Sequence, residues 1–215
     1  FIFSNINASV SVLNIGGMAN ITVLASEHND RLIGYDTGCG NVLLDMWVHE
    51  HYNLPYDKDG VWARSGQVDY ILLHSMMEDE YFSLPYPKST GREKFNKAWL
   101  DEVIAKREAQ VPARLLPQDV QRTLTELTAL SISNEVLKFN HDVLLLCGGG
   151  AKNSFLVERI KALMPNIEVA IAQNADQIEA MTFAWLAYKR IHEEEVNLKD
   201  VTGATKNAVL GGIYA

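Results

Sequence analysis

Asp36 stands at the mouth of a glycine turn, Gly34-Tyr-Asp36-Thr37-Gly38-Cys39-Gly40-Asn41, between the apolar run Arg31-Leu-Ile33 and a helical pattern over 42–48. A strand that stops at Asp36 and turns through two glycines would aim a carboxylate and several backbone N–H groups into one small space. An anion and its attacking nucleophile could meet there, which is the requirement of phosphoryl transfer. The same residues also make a common turn, in which the aspartate accepts N–H bonds from the residues after it and glycine supplies a positive φ.

Two more glycine turns of this kind shift the balance toward chemistry. Leu13-Asn14-Ile15-Gly16-Gly17-Met18-Ala19-Asn20 lies between an alternating run and the β-rich run Ile21-Thr-Val-Leu24, and reads as a hairpin turn with a bulge. Leu144-Leu-Leu-Cys147-Gly148-Gly149-Gly150-Ala151-Lys152-Asn153 lies between a continuous apolar strand and a helix. Three consecutive glycines there allow a ligand to approach the backbone closely at a helix N-terminus.

The ordered motifs N-I-G-G-x-A-N, D-T-G-x-G-N, K-S-T-G-R-E (Lys88 to Glu93), C-G-G-G-A-K-N and A-D-Q-I-E-A-x-x-F-A-W-L-A (Ala175 to Ala187) resemble those of anhydro-N-acetylmuramic acid kinases. That family belongs to the sugar kinase and actin superfamily of two-lobed ATPases, and the resemblance runs from about Val12 to Tyr214. It implies an ATP- and Mg²⁺-dependent, cytoplasmic kinase of cell-wall recycling, and a homodimer. It also implies that 1,6-anhydro-N-acetylmuramic acid and water become N-acetylmuramic acid 6-phosphate. Asp36 would be the general base. Gly16 and Gly17 would form the second phosphate loop, with Gly38 also at the nucleotide, and Gly148, Gly149 and Gly150 the floor beneath ribose and adenine.

Asn153 either contacts the nucleotide or only caps the helix after it. Asn20, Asn41, Lys88 and Glu179 are candidate sugar contacts. The two asparagines could instead serve their turns, and Glu179 could simply favour the first turn of its helix. Lys152 either lies in solvent or touches a phosphate. The histidines lack metal-ligand spacing, so no protein metal ligand is assigned. Trp47, Trp99 and Trp185 read as core, and Trp62 as a loop residue more open to a ligand. A different sugar or acid kinase of the superfamily, or a non-catalytic nucleotide-binding module, would share the glycine turns.

Two departures from the family pattern stand out. The family opens with a glycine- and serine-rich phosphate loop in an N-terminal lobe, and nothing before Phe1 supplies it. The expectation is therefore a C-terminal lobe spanning 1–215 with the other lobe missing. Cys39 replaces the usual proline of D-T-G-P-G-N, which loosens the turn while leaving Asp36 in place.

Composition is compatible with this reading. The chain has 215 residues, 47% hydrophobic, enough for a sizeable core. A net charge of −8 disfavours nucleic acid as a partner, because phosphate backbones are held by basic patches. No apolar run approaches the roughly 18 residues of a membrane span, and Phe1-Ile-Phe-Ser is not a signal peptide. The two cysteines, each in a glycine turn, fit a reducing compartment.

The elements that must position these residues come in two groups. Strands at about 9–15, 20–25 and 31–36 are followed by a helix from 41 to 52. Helices are expected at 68–77, 95–106 and 117–139, with 81–91 largely extended because each proline pushes its predecessor out of the helical region. Strand 143–147, helix 153–164, strand 167–172 and helix 176–191 then form a βαβα unit that calls for parallel pairing. The expected fold is α/β, a ribonuclease-H-like, actin-like ATPase lobe whose mixed sheet has three antiparallel strands followed by α/β units.

Overall fold

A computed structural model describes residues 9–24, 32–202 and 204–214. The Phe1 opening, Arg31 and the strand end expected at 25 lie outside the described residues.

Three strands come first: β1 (Val10–Ile15), β2 (Met18–Val23) and β3 (Ile33–Cys39). A helical region follows with α1 (Val42–Tyr52), α2 (Val61–Ser65), α3 (Tyr70–Met77), α4 (Glu80–Ser83), α5 (Lys97–Gln110) and α6 (Pro117–Val136). The chain then returns to the sheet through β4 (Val143–Cys147), α7 (Ser154–Leu163) and β5 (Glu168–Ile171), and ends in α8 (Ile178–Ile191) and α9 (Lys199–Thr202). The five strands lie in the order β3-β2-β1-β4-β5. The two pairs on the β3 side are antiparallel and the two pairs made by β4 are parallel. The expected mixed sheet is the one that forms, because a hairpin can join neighbours antiparallel whereas a helical crossover returns the chain parallel.

Helix α6 is the hinge of the packing. Its residues Ala129, Ile132 and Val136 join Leu13, Ile15, Ile21, Leu144 and Leu146 in the core beneath the sheet. Val120, Leu124 and Leu127 enter a second core with Leu43, Leu72, Met76, Phe95 and Leu100 from α1, α3 and the α5 region. Each fully buried Val, Leu, Ile, Phe or Met among them contributes roughly 1.5–3 kcal/mol. Buried hydroxyls on the same helix are satisfied locally: Thr125 Oγ1 and Ser133 Oγ donate to the carbonyls of Gln121 and Ala129 at 3.0 and 2.7 Å. Thr128 Oγ1 instead donates to the Gly40 carbonyl at 3.1 Å, tying the helix to the aspartate turn.

Several local expectations change. β3 does not stop at Asp36 but continues to Cys39. Asn20 faces Asp36 while Ala19 faces Gly38, so Thr37 is the extra residue of a bulge in β2–β3, and the β1–β2 hairpin pairs without one. Thr37 is fully buried and donates to the Ala19 carbonyl at 3.2 Å, which holds the bulge in the ladder. Tyr81 to Ser83 are helical rather than extended, since Asp79 accepts from the Tyr81 N–H at 2.9 Å and caps α4. Trp62 sits in α2, whose start is held by Asp57 Oδ1 and Oδ2 accepting from the N–H groups of Trp62 and Ala63. It packs on the second core and edge-on to Tyr52.

Trp47 is buried and Trp99 partly so, but Trp185 is not core, because α8 carries no buried side chain. Phe183, Tyr188 and Ile191 on that helix are exposed. Among the described residues no helix is long and apolar enough to cross a membrane.

Candidate functional site

The glycine turns meet at one end of the sheet, above α1. The main-chain N–H groups of Gly40 and Val42 donate to the Gly17 carbonyl at 2.9 and 3.1 Å, and that of Asn41 to the Gly16 carbonyl at 2.8 Å. These are the donors that the sequence pattern aimed at an anion. The structure spends them instead on locking the aspartate turn onto the hairpin turn, since a buried N–H must find a partner. A Cβ on Gly40 would sit 2.4 Å from the Gly16 oxygen, so only glycine allows this approach.

Beside the joined turns runs Gly148-Gly149-Gly150. The three glycines are not equivalent. Gly148 has φ +80°, and a Cβ there would lie 2.5 Å from Asn14 Oδ1. A Cβ on Gly150 would lie 2.3 Å from Ile15 Cγ2. Gly149 alone opens outward, its nearest neighbour being Asn41 Nδ2 at 3.8 Å. The segment enters a 3₁₀ turn, Gly149–Lys152, before α7 starts, so the glycines precede the helix by one turn rather than forming its N-terminus. Asn153 caps α7, its Oδ1 accepting from the Leu156 N–H at 3.1 Å.

A cavity of about 450 Å³ lies against Gly149, Asn153 and Asn41, with Leu44, Asp45 and Tyr56 on its other side. A second, of about 550 Å³, shares Asn41, Asp45 and Gly149 and adds Gly16, Gly17 and Arg92. The shared residues make them adjoining parts of a cleft whose wall includes Gly16, Gly17 and Gly149. Asn41 begins α1 without a side-chain cap, its Nδ2 donating to the Ile15 carbonyl at 3.3 Å. One turn further on, burial pushes the Asp45 carboxyl up to about 6, while Arg92 pulls in the other direction. Asp45 and Arg92 were not singled out from sequence for this cleft; the signal was present as an acid four residues after Asn41, on the same helix face.

The Asp36 carboxylate lines a separate cavity of about 480 Å³ that shares no lining residue with the other two, and Asn20, Ser89, Lys199 and Thr202 also line its wall. Asp36 Oδ2 accepts from Ser89 Oγ at 2.9 Å and from the Thr90 N–H at 3.0 Å. Asp36 and Asn20 are opposite one another on β3 and β2. Alternation along β3 buries Tyr35 and Thr37 and leaves Asp36 on the cavity face.

The other expected residues divide. Lys88 lines this cavity, but its ammonium turns inward to Glu135 Oε1 at 2.6 Å and its side chain is 2% exposed. A sugar contact through that ammonium is therefore corrected: the charge is already paired inside the protein. Gly38, with φ +153°, faces Phe82 Cε1 and Ser131 Oγ at 3.0 and 3.3 Å from a would-be Cβ, so its missing side chain makes room for protein rather than nucleotide. Glu179 is exposed in the first turn of α8 and lines none of these cavities. Lys152, on the wall of the cavity of about 450 Å³, is exposed and paired with Asp176 at 2.8 Å. The Cys39 thiol in the family's proline position is buried and pushed up to about 12, which keeps it protonated and unreactive.

Comparison with known proteins gives the family. The model of the anhydro-N-acetylmuramic acid kinase family matches residues 1–215. A relative of that name from Sulfurovum sp. (strain NBC37-1) is 66% identical over 214 residues, and one from Vibrio cholerae is 48% identical over 220. The chain spans 57% of the length of each. Among solved structures, the activator of the 2-hydroxyisocaproyl-CoA dehydratase from Clostridium difficile, with bound ADPNP, is similar with a TM-score of 0.53 at 14% identity. That likeness covers 92% of this chain and 65% of the other, and bears on the fold alone. With its glycine turns, aspartate turn and sheet order in place, this chain belongs to the anhydro-N-acetylmuramic acid kinase family.

Proposed function

We propose that the protein of which these residues are part phosphorylates 1,6-anhydro-N-acetylmuramic acid with ATP, opening the anhydro ring with water in the same event. Residues 1–215 are one lobe in this reading, and the rest of the family's length supplies the other. The observation that carries it is the Asp36 carboxylate, held on one oxygen by Ser89 and Thr90 on a strand whose following turn is bonded to the carbonyls of Gly16 and Gly17.

Asp36 Oδ1 makes no hydrogen bond among the described residues, and in this reading it takes the proton of a water in the cavity that Asp36 lines. The substrate's O6 is tied to C1 and has no proton to lose, so it is a poor nucleophile. Asp36 takes a proton from water, the oxygen of that water bonds to C1, and the C1–O6 bond breaks. O6 leaves with its electron pair and bonds to the γ-phosphorus as the bond to ADP breaks. Asn20, across the ladder from Asp36, is placed to orient a sugar hydroxyl. Gly149 admits the nucleotide where any side chain would intrude.

Mg²⁺ fits the donor set in a limited way. Among the described residues no cluster of three or more ligands exists, but Mg²⁺ carried on phosphates needs only one or two carboxylates. Asp45, a half-buried acid facing Gly16 and Gly17, would hold it, and the ion would neutralise charge on the phosphates.

The test is coupled-enzyme detection of ADP from the full-length protein, with and without the anhydro sugar. ADP release that depends on the anhydro sugar is expected. Equal or greater stimulation by an ordinary hexose or a carboxylic acid would assign a different kinase reaction, and no stimulation by any of them would leave only a nucleotide-binding module.

A further inference from the structure

The segment around Lys88 meets Asp36 four times. Its carbonyl accepts from the Asp36 N–H at 3.0 Å. Ser89 Oγ and the Thr90 N–H bind the carboxylate. From the preceding helical turn, Tyr81 OH donates to the Asp36 carbonyl at 2.7 Å. The peptide on each side of Asp36 and one oxygen of its side chain are thus held by residues 81–90, which form a strap across β3.

What fixes the strap is a charge pair inside the protein. Lys88 Nζ lies 2.6 Å from Glu135 Oε1 on α6, with the two side chains 2% and 3% exposed. The same ammonium donates to the Tyr81 carbonyl at 3.1 Å, so it joins both ends of the strap. Glu135 Oε2 accepts from Tyr35 OH at 3.1 Å and pairs with Lys138 at 2.5 Å, which leaves neither carboxylate oxygen free to swing. A buried ion pair is an expensive way to gain stability, since apolar residues of the same volume commonly do as well, but it is selective about geometry. We propose that Lys88 and Glu135, with Tyr81, are positioning residues: they hold the strap so that Ser89 and Thr90 present the Asp36 carboxylate to the water it deprotonates.

The inference rests on the reading of Asp36 as the general base, and the experiment separates the two. In the full-length protein, Lys88→Met and Glu135→Gln are combined, so that no lone buried charge remains and Tyr35 keeps an acceptor. Circular dichroism verifies the fold. Expected is a fall in kcat of at least 10-fold with KM for ATP unchanged, and less than a further twofold loss when the pair is placed in an Asp36→Asn background. A folded double variant with kcat within twofold of wild type overturns the proposal. So does an equal fold-loss in the two backgrounds, which would mark a general structural defect.

Tyr81→Phe, which removes one hydroxyl and no charge, decides the matter if the double variant does not fold. A kcat loss of about fivefold that vanishes in the Asp36→Asn background supports the strap, and unchanged kcat overturns it. Full activity of Asp36→Asn alone would remove the base reading itself, whatever the strap variants do.

Discussion

The two sides of the site are built by opposite means. The nucleotide side is made by absence: Gly149 leaves open the space into which any side chain would project, while Gly148 and Gly150 let the loop lie against β1. The Asp36 side is made by presence, with Ser89, Thr90, Tyr81 and Lys88 each contributing a bond to one residue. A glycine surface tolerates a bound group wherever backbone can approach it, whereas a base must be held to within a fraction of an ångström. The first side should therefore fail by being filled and the second by being loosened.

The largest effect tests whether either side works without the rest of the enzyme. Residues 1–215 alone should show no ADP formation dependent on the anhydro sugar and should bind ATP poorly, because phosphoryl transfer needs the γ-phosphate held from both sides. Turnover near that of the full-length protein in a steady-state assay would show that this lobe suffices. In the full-length protein, Asp36→Asn should keep both ligands bound and the Ser89 and Thr90 bonds made, since an amide oxygen still accepts. It should lose on the order of 10²-fold or more in kcat, because that amide cannot take a proton. Activity within a few-fold of wild type would reduce Asp36 to a turn residue.

The glycine side yields a sharper contrast. Gly149→Val should weaken ATP binding by about tenfold in calorimetry with little change in melting temperature, because the added atoms enter the cleft. Gly150→Val should do the reverse of selective damage and destabilise the fold by about 2 kcal/mol or more, its Cβ colliding with Ile15. Equal ATP affinity of a folded Gly149→Val protein would remove the loop from the nucleotide site.

Ser89→Ala tests the other side with a smaller expected loss. It removes one bond to Asp36 while leaving the Thr90 N–H, for a roughly fivefold fall in kcat, about 1 kcal/mol. An unchanged kcat would show that Thr90 alone holds the carboxylate.

The smallest effect concerns Asp45, the charged group of the glycine side. Burial raises its pKa from 3.8 to about 6. The folded protein therefore binds more protons than the unfolded chain between those values, and the stability that Asp45 contributes is present below about pH 4 and lost as pH rises through about 6. Asp45→Asn should raise the unfolding free energy measured by denaturant titration at pH 7 by on the order of 1 kcal/mol after allowance for partial exposure, and have no effect near pH 3.5. A pH-independent difference would mean that the shift has another origin.

The short helices α2, α4 and α9 aside, the sequence by itself determined the order of the strands and of the longer helices, the mixed sheet and the positions of the glycine turns. Each of these follows from local rules: a period of two or of 3.6 residues, a capping asparagine at Asn153, and a backbone that only glycine can adopt. It also singled out Asp36, because an acid before a glycine turn is read from adjacent residues. Only the tertiary structure decided which groups each turn would meet. Gly149 opens to the cleft while Gly148 and Gly150 do not, a distinction set by β1, more than 130 positions away in the chain. The turn N–H groups went to Gly16 and Gly17 carbonyls, and the Lys88 ammonium went inward to Glu135. A lysine in an extended polar stretch looks the same in sequence whether its charge faces a sugar or a buried carboxylate. Partner choice of that kind is settled by the packing of α6 beneath the strap, which no local pattern carries.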